Sequence, residues 1–327
     1  MGGHMIRARA AAAAVVVAAV ALTAPAASAN GDVATTGAQT TSLPALATTP
    51  TVSATPTRAQ YQRDWDGDGR SDVLGVAADG DLYLYPGNGR GAFTKSRKVG
   101  HNWSAFDQIT QFGAIERNGL LDIVAVQDGV LWGYGSDGRG GFKGGRALGP
   151  GWDAFRMLTA TGDWNGDGHD DLMAVRSADD TLWFWAGNGR GGLGSGSQVG
   201  VGWRGTTSLI GSGDFDGDSR NDVMARQEYT NLWLHPGDGA GGFQSPVGNY
   251  QGWGGLTALV ATGDFDGDRR SDLIGRAEDG RLILYRGNGA GAFYGGSATI
   301  GHGWSKTKIL GDNAETKSDF CDRTRWC

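Results

Sequence analysis

Cysteine is almost absent: the 327 residues contain two, Cys321 and Cys327, both near the end of the chain. That excludes a disulfide-dense scaffold and a CxxC redox or zinc site, and the pair enclosing Asp-Arg-Thr-Arg-Trp reads as one small disulfide-closed loop. No Gly-x-Ser-x-Gly occurs, and only His101, His169, His235 and His302 fall within the repetitive part of the chain. With no nucleophile beside a base, catalysis is not expected. An excess of positive charge is also missing. The formal charge is −6, so nucleic acid is not an expected partner, because its binders present a net basic face. After an N-terminal Ala/Val run, no stretch approaches the roughly 20 apolar residues of a membrane span.

What is abundant is glycine, 59 residues, and aspartate at fixed spacing. Asp64-Trp65-Asp66-Gly67-Asp68-Gly69-Arg70-Ser71-Asp72 places carboxylates at loop positions 1, 3, 5 and 9. It returns as Asp163-Trp164-Asn165-Gly166-Asp167-Gly168-His169-Asp170-Asp171, as Asp214-Phe215-Asp216-Gly217-Asp218-Ser219-Arg220-Asn221-Asp222, and as Asp264-Phe265-Asp266-Gly267-Asp268-Arg269-Arg270-Ser271-Asp272. Alternate residues of a tight loop aim short oxygen-bearing side chains at one point while glycine lets the backbone curl, which is the cage a hard cation takes. The likeness to an EF-hand stops at position 12, where a bidentate Glu would stand but Gly75, Ala174, Ala225 and Gly275 do. The ninth-position Asp72, Asp171, Asp222 and Asp272 are therefore expected to close the sites. The competing reading is an ion-free, Asp-rich turn. Like charges about 4 Å apart at an effective dielectric near 20 repel by roughly 4 kcal/mol per pair, which favours an ion. A flexible carboxylate site with no phosphate partner suits calcium better than magnesium.

Along the chain, residues 1–29 combine Arg7 and Arg9, an apolar run from Ala10 to Leu22, and Ala27-Ser28-Ala29, the pattern of a secretory signal peptide, so the protein is expected to be secreted. Removing that segment takes the formal charge to −8, which four divalent ions would bring to about zero. Residues 30–59 are Thr, Ala, Ser and Pro and read as a disordered linker. From residue 60 to 313 the loop marks a period: it starts at 64, 163, 214 and 264, so the first gap must hide a further copy. Gly113-Ala114-Ile115-Glu116-Arg117-Asn118-Gly119-Leu120-Leu121-Asp122 is that copy in worn form, with Ala114 in place of the first ligand. Four calcium ions are expected rather than five. Each repeat continues with an apolar run such as Val73-Leu74-Gly75-Val76, a turn (Asp79-Gly80, Asp128-Gly129, Asp279-Gly280) expected to make a two-residue hairpin, a run such as Leu82-Tyr83-Leu84-Tyr85, a glycine-rich connection and a Gly-Trp corner. Four short strands in about 50 residues is the arithmetic of a propeller blade. The expected fold is all-β, a five-bladed β-propeller. Lys308-Ile309-Leu310-Gly311-Asp312 repeats the pattern before Asp264 and is predicted to pair as a C-terminal strand into the first blade, closing the ring; residues 314–327 form a tail.

The metal loop, strand and Gly-Asn-Gly pattern resembles the FG-GAP/VCBS repeats of the integrin α-subunit head and of exported bacterial proteins, over about Tyr61 to Asp312. The resemblance implies that each loop joins the first and second strands of a blade. It also implies that position 7 (Arg70, His169, Arg220, Arg270) supplies a backbone carbonyl to the ion. Ser219 and Arg269 depart from it, standing at position 6, where glycine would ease a positive φ.

For function, a binding module is the leading expectation, with a spacer and then an exported hydrolase behind it. Trp103, Trp152, Trp203, Trp253 and Trp304 recur at the Gly-Trp corner. They either pack between blades or stack on sugar rings of a glycan or cell-surface ligand. Trp183, Trp185 and Trp233, inside strands, are expected in the core. Loops at Asn88, Arg90, Asn188, Arg190, Asp238 and Asn288 form polar rims that could read a ligand or serve only as turns.

Overall fold

The computed structural model describes residues 63–115, 118–311 and 313. The expected signal, the linker and the Cys321–Cys327 loop lie outside them. The described chain forms twenty strands in five four-stranded antiparallel sheets. The first blade holds β1 (Val73–Val76), β2 (Leu82–Tyr85) and β3 (Arg97–Gly100). The second holds β4 (Gln108–Phe112), β5 (Asp122–Gln127), β6 (Val130–Tyr134) and β7 (Arg146–Pro150). The third holds β8 (Phe155–Gly162), β9 (Asp171–Arg176), β10 (Thr181–Trp185) and β11 (Ser197–Gly200). The fourth holds β12 (Thr206–Gly213), β13 (Asp222–Gln227), β14 (Asn231–His235) and β15 (Val247–Tyr250), and the fifth β16 (Leu256–Gly263), β17 (Asp272–Ala277), β18 (Leu282–Tyr285) and β19 (Ala298–Gly301). In blades three to five the Asp-rich loop joins the first and second strands, as the worn loop does in blade two; in the first blade it leads into β1.

The first blade lacks a leading strand of its own, and β20 (Lys308–Ile309) supplies it. Ile309 pairs with Gly75 and Lys308 with Val76, and the Leu310 N–H donates to the Leu74 carbonyl at 3.0 Å. The ring is thus closed by the C-terminal strand, as predicted. Second strands such as Val73–Val76 are buried on both faces because a neighbouring blade covers each side, so they read as apolar runs. Third strands such as β2 alternate, with Leu82 and Leu84 buried and Tyr83 and Tyr85 half-buried, whereas β10 is buried at all but Trp183.

The hairpin turns are of two kinds. Asp128 and Gly129, at φ 49° and 71°, make the expected two-residue turn between Gln127 and Val130. At Asp79-Gly80 and Asp279-Gly280 the expectation is corrected by one residue. The Ala77 N–H donates to the Asp81 carbonyl and the Ala277 N–H to the Arg281 carbonyl, leaving three residues in each loop with glycine at φ 84° and 80°. The Asp79 carboxylate accepts the Asp81 N–H at 3.1 Å and stabilises the longer form.

The corner tryptophans lie where the blades meet, between 6% and 7% exposed. Trp103 packs on Tyr134 at 5.0 Å, Trp152 on Trp185 at 4.7 Å, Trp203 on His235 at 5.0 Å and Trp253 on Tyr285 at 4.6 Å, always on a ring of the following blade. Trp304 of the fifth blade meets Tyr85 of the first at 4.2 Å. Of the two readings of these five rings, packing between the blades is the one the structure shows, since aromatic neighbours cover their faces; stacking on sugar would need them exposed. His235 takes an aromatic position in this series, and burial pulls its imidazole down to about 4. Trp185 is core at 8% exposure, whereas Trp183 is half-buried under Arg176, whose guanidinium lies 4.7 Å from the ring centre.

On the axis, leading-strand residues including Thr110, Thr159, Gly211 and Val260, with Leu310 beside β20, leave a cavity of about 20 Å³, room for one water. Asn313 ties the leading strands of blades three and four together, donating to the Leu158 and Leu209 carbonyls at 3.2 and 2.7 Å and accepting the Leu209 N–H at 3.0 Å.

Candidate metal sites

The loops at Asp163, Asp214 and Asp264 begin as a first strand ends and that at Asp64 stands ahead of β1; in all four the opening carboxylate folds the backbone around itself. Asp64 accepts the N–H groups of Gly67, Asp68 and Gly69 at 2.7, 3.1 and 2.8 Å. Asp163 does the same for Gly166, Asp167 and Gly168. Asp214 takes Gly217 and Ser219, and Asp264 takes Gly267. The position-5 carboxylates Asp68, Asp167, Asp218 and Asp268 each accept the N–H of position 7 at 2.9 Å, turning the chain so that Arg70, His169, Arg220 and Arg270 sit at the loop's far rim. In three loops that Arg also pairs with the position-5 carboxylate at 3.1 to 3.3 Å. Position 6 has a positive φ throughout: 82° at Gly69, 85° at Gly168, and 69° and 70° at Ser219 and Arg269. The strain expected at those two side chains is present, at about 1–2 kcal/mol each.

Carboxylate oxygens converge in three loops. Those of Asp64, Asp66 and Asp72, of Asp214, Asp216 and Asp218, and of Asp264, Asp266 and Asp272 lie within 4.8 Å of one another. In the loop beginning at Asp163 no such trio forms among the described residues, because Asn165 stands at position 3 and its amide donates to Asp167 at 3.0 Å. Burial, and behind it neighbouring carboxylates, pushes Asp66, Asp216, Asp264 and Asp266 upward from the usual carboxylate range. An all-oxygen donor set whose members are this crowded and desolvated fits a hard dication.

The ninth-position aspartates do more than the sequence suggested. Asp72 accepts the Trp65 N–H and the Gly87 N–H, both at 2.9 Å, and so ties its loop to the glycine-rich connection of the same blade. Asp171, Asp222 and Asp272 make the same pair of bonds, to Trp164 and Gly187, Phe215 and Gly237, and Phe265 and Gly287. Burial pushes all four carboxyls up to about 7. Asp122 of the worn loop repeats the arrangement with Ile115 and Ser136 at 2.7 and 2.8 Å. Its persistence where Ala114 has replaced the first ligand is the signal that position 9 is a backbone strut as well as a candidate ligand.

Position 8 was also missed. The Asn221 amide donates to the Asp163 carbonyl of the preceding blade at 2.9 Å, and Asp170 accepts the Ala114 N–H of its preceding blade. Loop positions 4 press on the following blade: a Cβ on Gly217 or Gly267 would lie 2.5 or 2.6 Å from the carbonyl oxygen of Gly289 or Gly89. Only glycine allows that approach. The connection loops are shaped by their first polar residue. Asn88 accepts the N–H groups of Arg90 and Ala92, and Asn188, Asp238 and Asn288 do likewise, so these side chains are turn-formers.

The model of the FG-GAP-like repeat matches residues 64–125, 163–225 and 214–275. No curated protein sequence matches the chain. Among solved structures, a lectin of Agrocybe aegerita described as recognising non-reducing terminal N-acetylglucosamine is 21% identical, with a TM-score of 0.44 over 76% of this chain and 69% of its own. The BP39L lectin of Burkholderia pseudomallei is 16% identical, with a TM-score of 0.45 over 73% of this chain and 68% of its own. A Photorhabdus luminescens Tc holotoxin pore chain is 16% identical over 74% of this chain, which spans only 12% of that chain's length, with a TM-score of 0.41. With the repeat matched over just over half of its residues, and with the loop recurring at every seam of a five-bladed ring, this chain belongs to the FG-GAP-like repeat family.

Proposed function

We propose that this is an exported calcium-binding β-propeller that acts as a binding module for a glycan or another cell-surface ligand. The observation that carries the calcium reading is the convergence of three carboxylates within 4.8 Å in each of three loops. The oxygens that would hold the ions are those of Asp64, Asp66, Asp68 and Asp72, of Asp163, Asn165, Asp167 and Asp171, of Asp214, Asp216, Asp218 and Asp222, and of Asp264, Asp266, Asp268 and Asp272. The carbonyls of Arg70, His169, Arg220 and Arg270 would join them. A bound ion would supply charge neutralisation. The loops themselves pack on the following blade, so neutralising them would stiffen the ring. The worn loop has no side-chain oxygen at Ala114 and would stay empty.

With the corner tryptophans buried, the ligand would be met by the exposed side chains of the loop face. Burial of those rings is also what favours a plain spacer as the second reading. A glycan array with and without EDTA separates the two. Calcium-dependent binding to sugars or cell-wall polymers supports the module; no binding, with calcium still stabilising the fold, supports the spacer.

A further inference from the structure

Basic side chains are distributed unequally around the ring. At the tip of the connection loop, blades one to three carry Arg90, Arg139 and Arg190, while blades four and five carry Ala240 and Ala290, all exposed. At the first residue of the outer strand, Arg97 and Arg146 of the first two blades correspond to Ser197, Val247 and Ala298. The two sets are joined across the seams. The Arg97 guanidinium donates to the Arg139 carbonyl of the second blade at 2.6 Å, and that of Arg146 lies against Gly191 of the third, next to Arg190. Two arginine pairs, Arg97 with Arg139 and Arg146 with Arg190, thus span two adjacent seams of a chain whose formal charge is −6, and Arg90 continues the arc at the matching loop tip one seam earlier, where Gly91 packs near Arg286 of the fifth blade.

The opposing charge is thinnest at one seam of this arc. At the seam between blades two and three the adjoining loop is the worn one, with Ala114 and Asn118 where its counterparts carry Asp. Ile115 of that loop packs in one cluster with Leu193 of the third blade's connection, which puts the worn loop beside Arg190. The acidic groups that face these loop tips are Asp66, whose charge is felt by Arg97, Asp137, which is occupied by the N–H groups of Arg139 and Gly141, and Asp266 of the fifth blade's loop, which lies against Gly91 beside Arg90 and pairs with Arg286 at 3.0 Å. An ion held by the first loop would take up Asp66. Arg90, Arg139 and Arg190 form no ion pair with any described residue.

We propose that this arc binds an anionic polysaccharide, a chain bearing carboxylate or sulfate groups that the arginine forks engage in succession. The proposal rests on reading the domain as a glycan-binding module and names the class of glycan. A nucleic acid shares the charge but is disfavoured, because single strands are held by exposed aromatic platforms. On these three blades no large aromatic ring is exposed among the described residues.

The test is binding of the calcium-loaded protein to heparin and to polygalacturonate across a salt series, with dextran and single-stranded DNA as comparators. Heparin and polygalacturonate should bind and dextran should not. The variant R90A/R139A/R190A should bind at least about tenfold more weakly, with a salt slope smaller by about three. Its melting temperature and calcium content should be unchanged. A240R/A290R, which extends the arc, should bind more tightly. Absence of polyanion binding, an R90A/R139A/R190A variant with unaltered affinity and slope, or DNA bound as tightly as heparin would each overturn the proposal. Because calcium content and the array of neutral glycans are measured separately, failure here is distinguishable from failure of the module reading.

Discussion

Replacing Asp122 by Asn tests whether the ninth-position aspartate is a strut independent of metal. The carboxylate of Asp122 accepts two backbone N–H groups, from Ile115 at 2.7 Å and Ser136 at 2.8 Å, and is fully buried. An asparagine amide offers one acceptor oxygen to two donors, so one N–H is left facing an NH₂ group. Leaving a buried donor unsatisfied costs about 1–3 kcal/mol, and bonds to a charged acceptor sit in the upper part of that range. The Asn variant should lose about 2 kcal/mol, and Asp122→Ala, which abandons both donors, roughly 4 kcal/mol. In a domain of this size about 2 kcal/mol lowers the melting temperature by roughly 4–8 °C. Urea unfolding followed by tryptophan fluorescence, in calcium and in EDTA, measures it. The loss should be the same in both buffers, whereas Asp72→Asn should cost more in calcium than in EDTA because it also weakens an ion site. A loss below about 0.5 kcal/mol for Asp122→Asn, or one that disappears in EDTA, would refute the strut.

The remaining expectations concern ions, pH, strain and the closing seam. Metal analysis at saturating calcium should find four ions per chain, with three in Asp214→Ala; five ions, or a melting temperature indifferent to EDTA, would sink the calcium reading. The carboxyls of Asp72, Asp171, Asp222 and Asp272, pushed up to about 7 from an unfolded value near 4, favour the protonated native state. In EDTA their contribution to stability should therefore be greatest below about pH 4 and fall as pH rises to about 7, while calcium affinity rises over the same window; a urea midpoint in EDTA no higher at pH 5 than at pH 8 would count against it. Arg269→Gly, at φ 70°, should stabilise the calcium-free protein by up to about 1 kcal/mol, and a loss of stability would show that the side chain matters more than the backbone. Trp304→Ala should cost about 3–5 kcal/mol, since it empties the contact with Tyr85 across the closing seam; an effect under about 1 kcal/mol in urea unfolding would contradict the packing.

The repeat, the strand count and the closing strand were legible because each depends on local chemistry. Asp-Gly spacing sets the loop, apolar runs set the doubly covered second strands, and Lys308 to Gly311 spells the same leading strand as Ala258 to Gly263. The double role of Asp72 and its counterparts was not legible, since a carboxylate reads the same whether it faces a cation or two amide hydrogens. Only Asp122, kept where Ala114 stands, hinted at it. The corner tryptophans left two readings because exposure is decided by rings of the neighbouring blade, about 30 residues away for Trp103 and Tyr134 and more than 200 for Trp304 and Tyr85. The extra residue in the Asp79 and Asp279 turns depends on which carbonyl Ala77 and Ala277 choose, a matter of strand register that a dipeptide does not encode.

The pairing of Lys308–Ile309 with Gly75–Val76 also sets a timetable. About 230 residues separate the partners. At 5–20 residues per second a ribosome needs on the order of tens of seconds to make the interval. Throughout that time β1 presents an unpaired, apolar strand edge, the kind of surface that captures other chains. The last blade is finished before the first one is. A nascent chain stalled between Gly301 and Lys308 would therefore be a four-bladed arc with a fifth, three-stranded sheet open at its end, and its most aggregation-prone segment would be the first blade that was made.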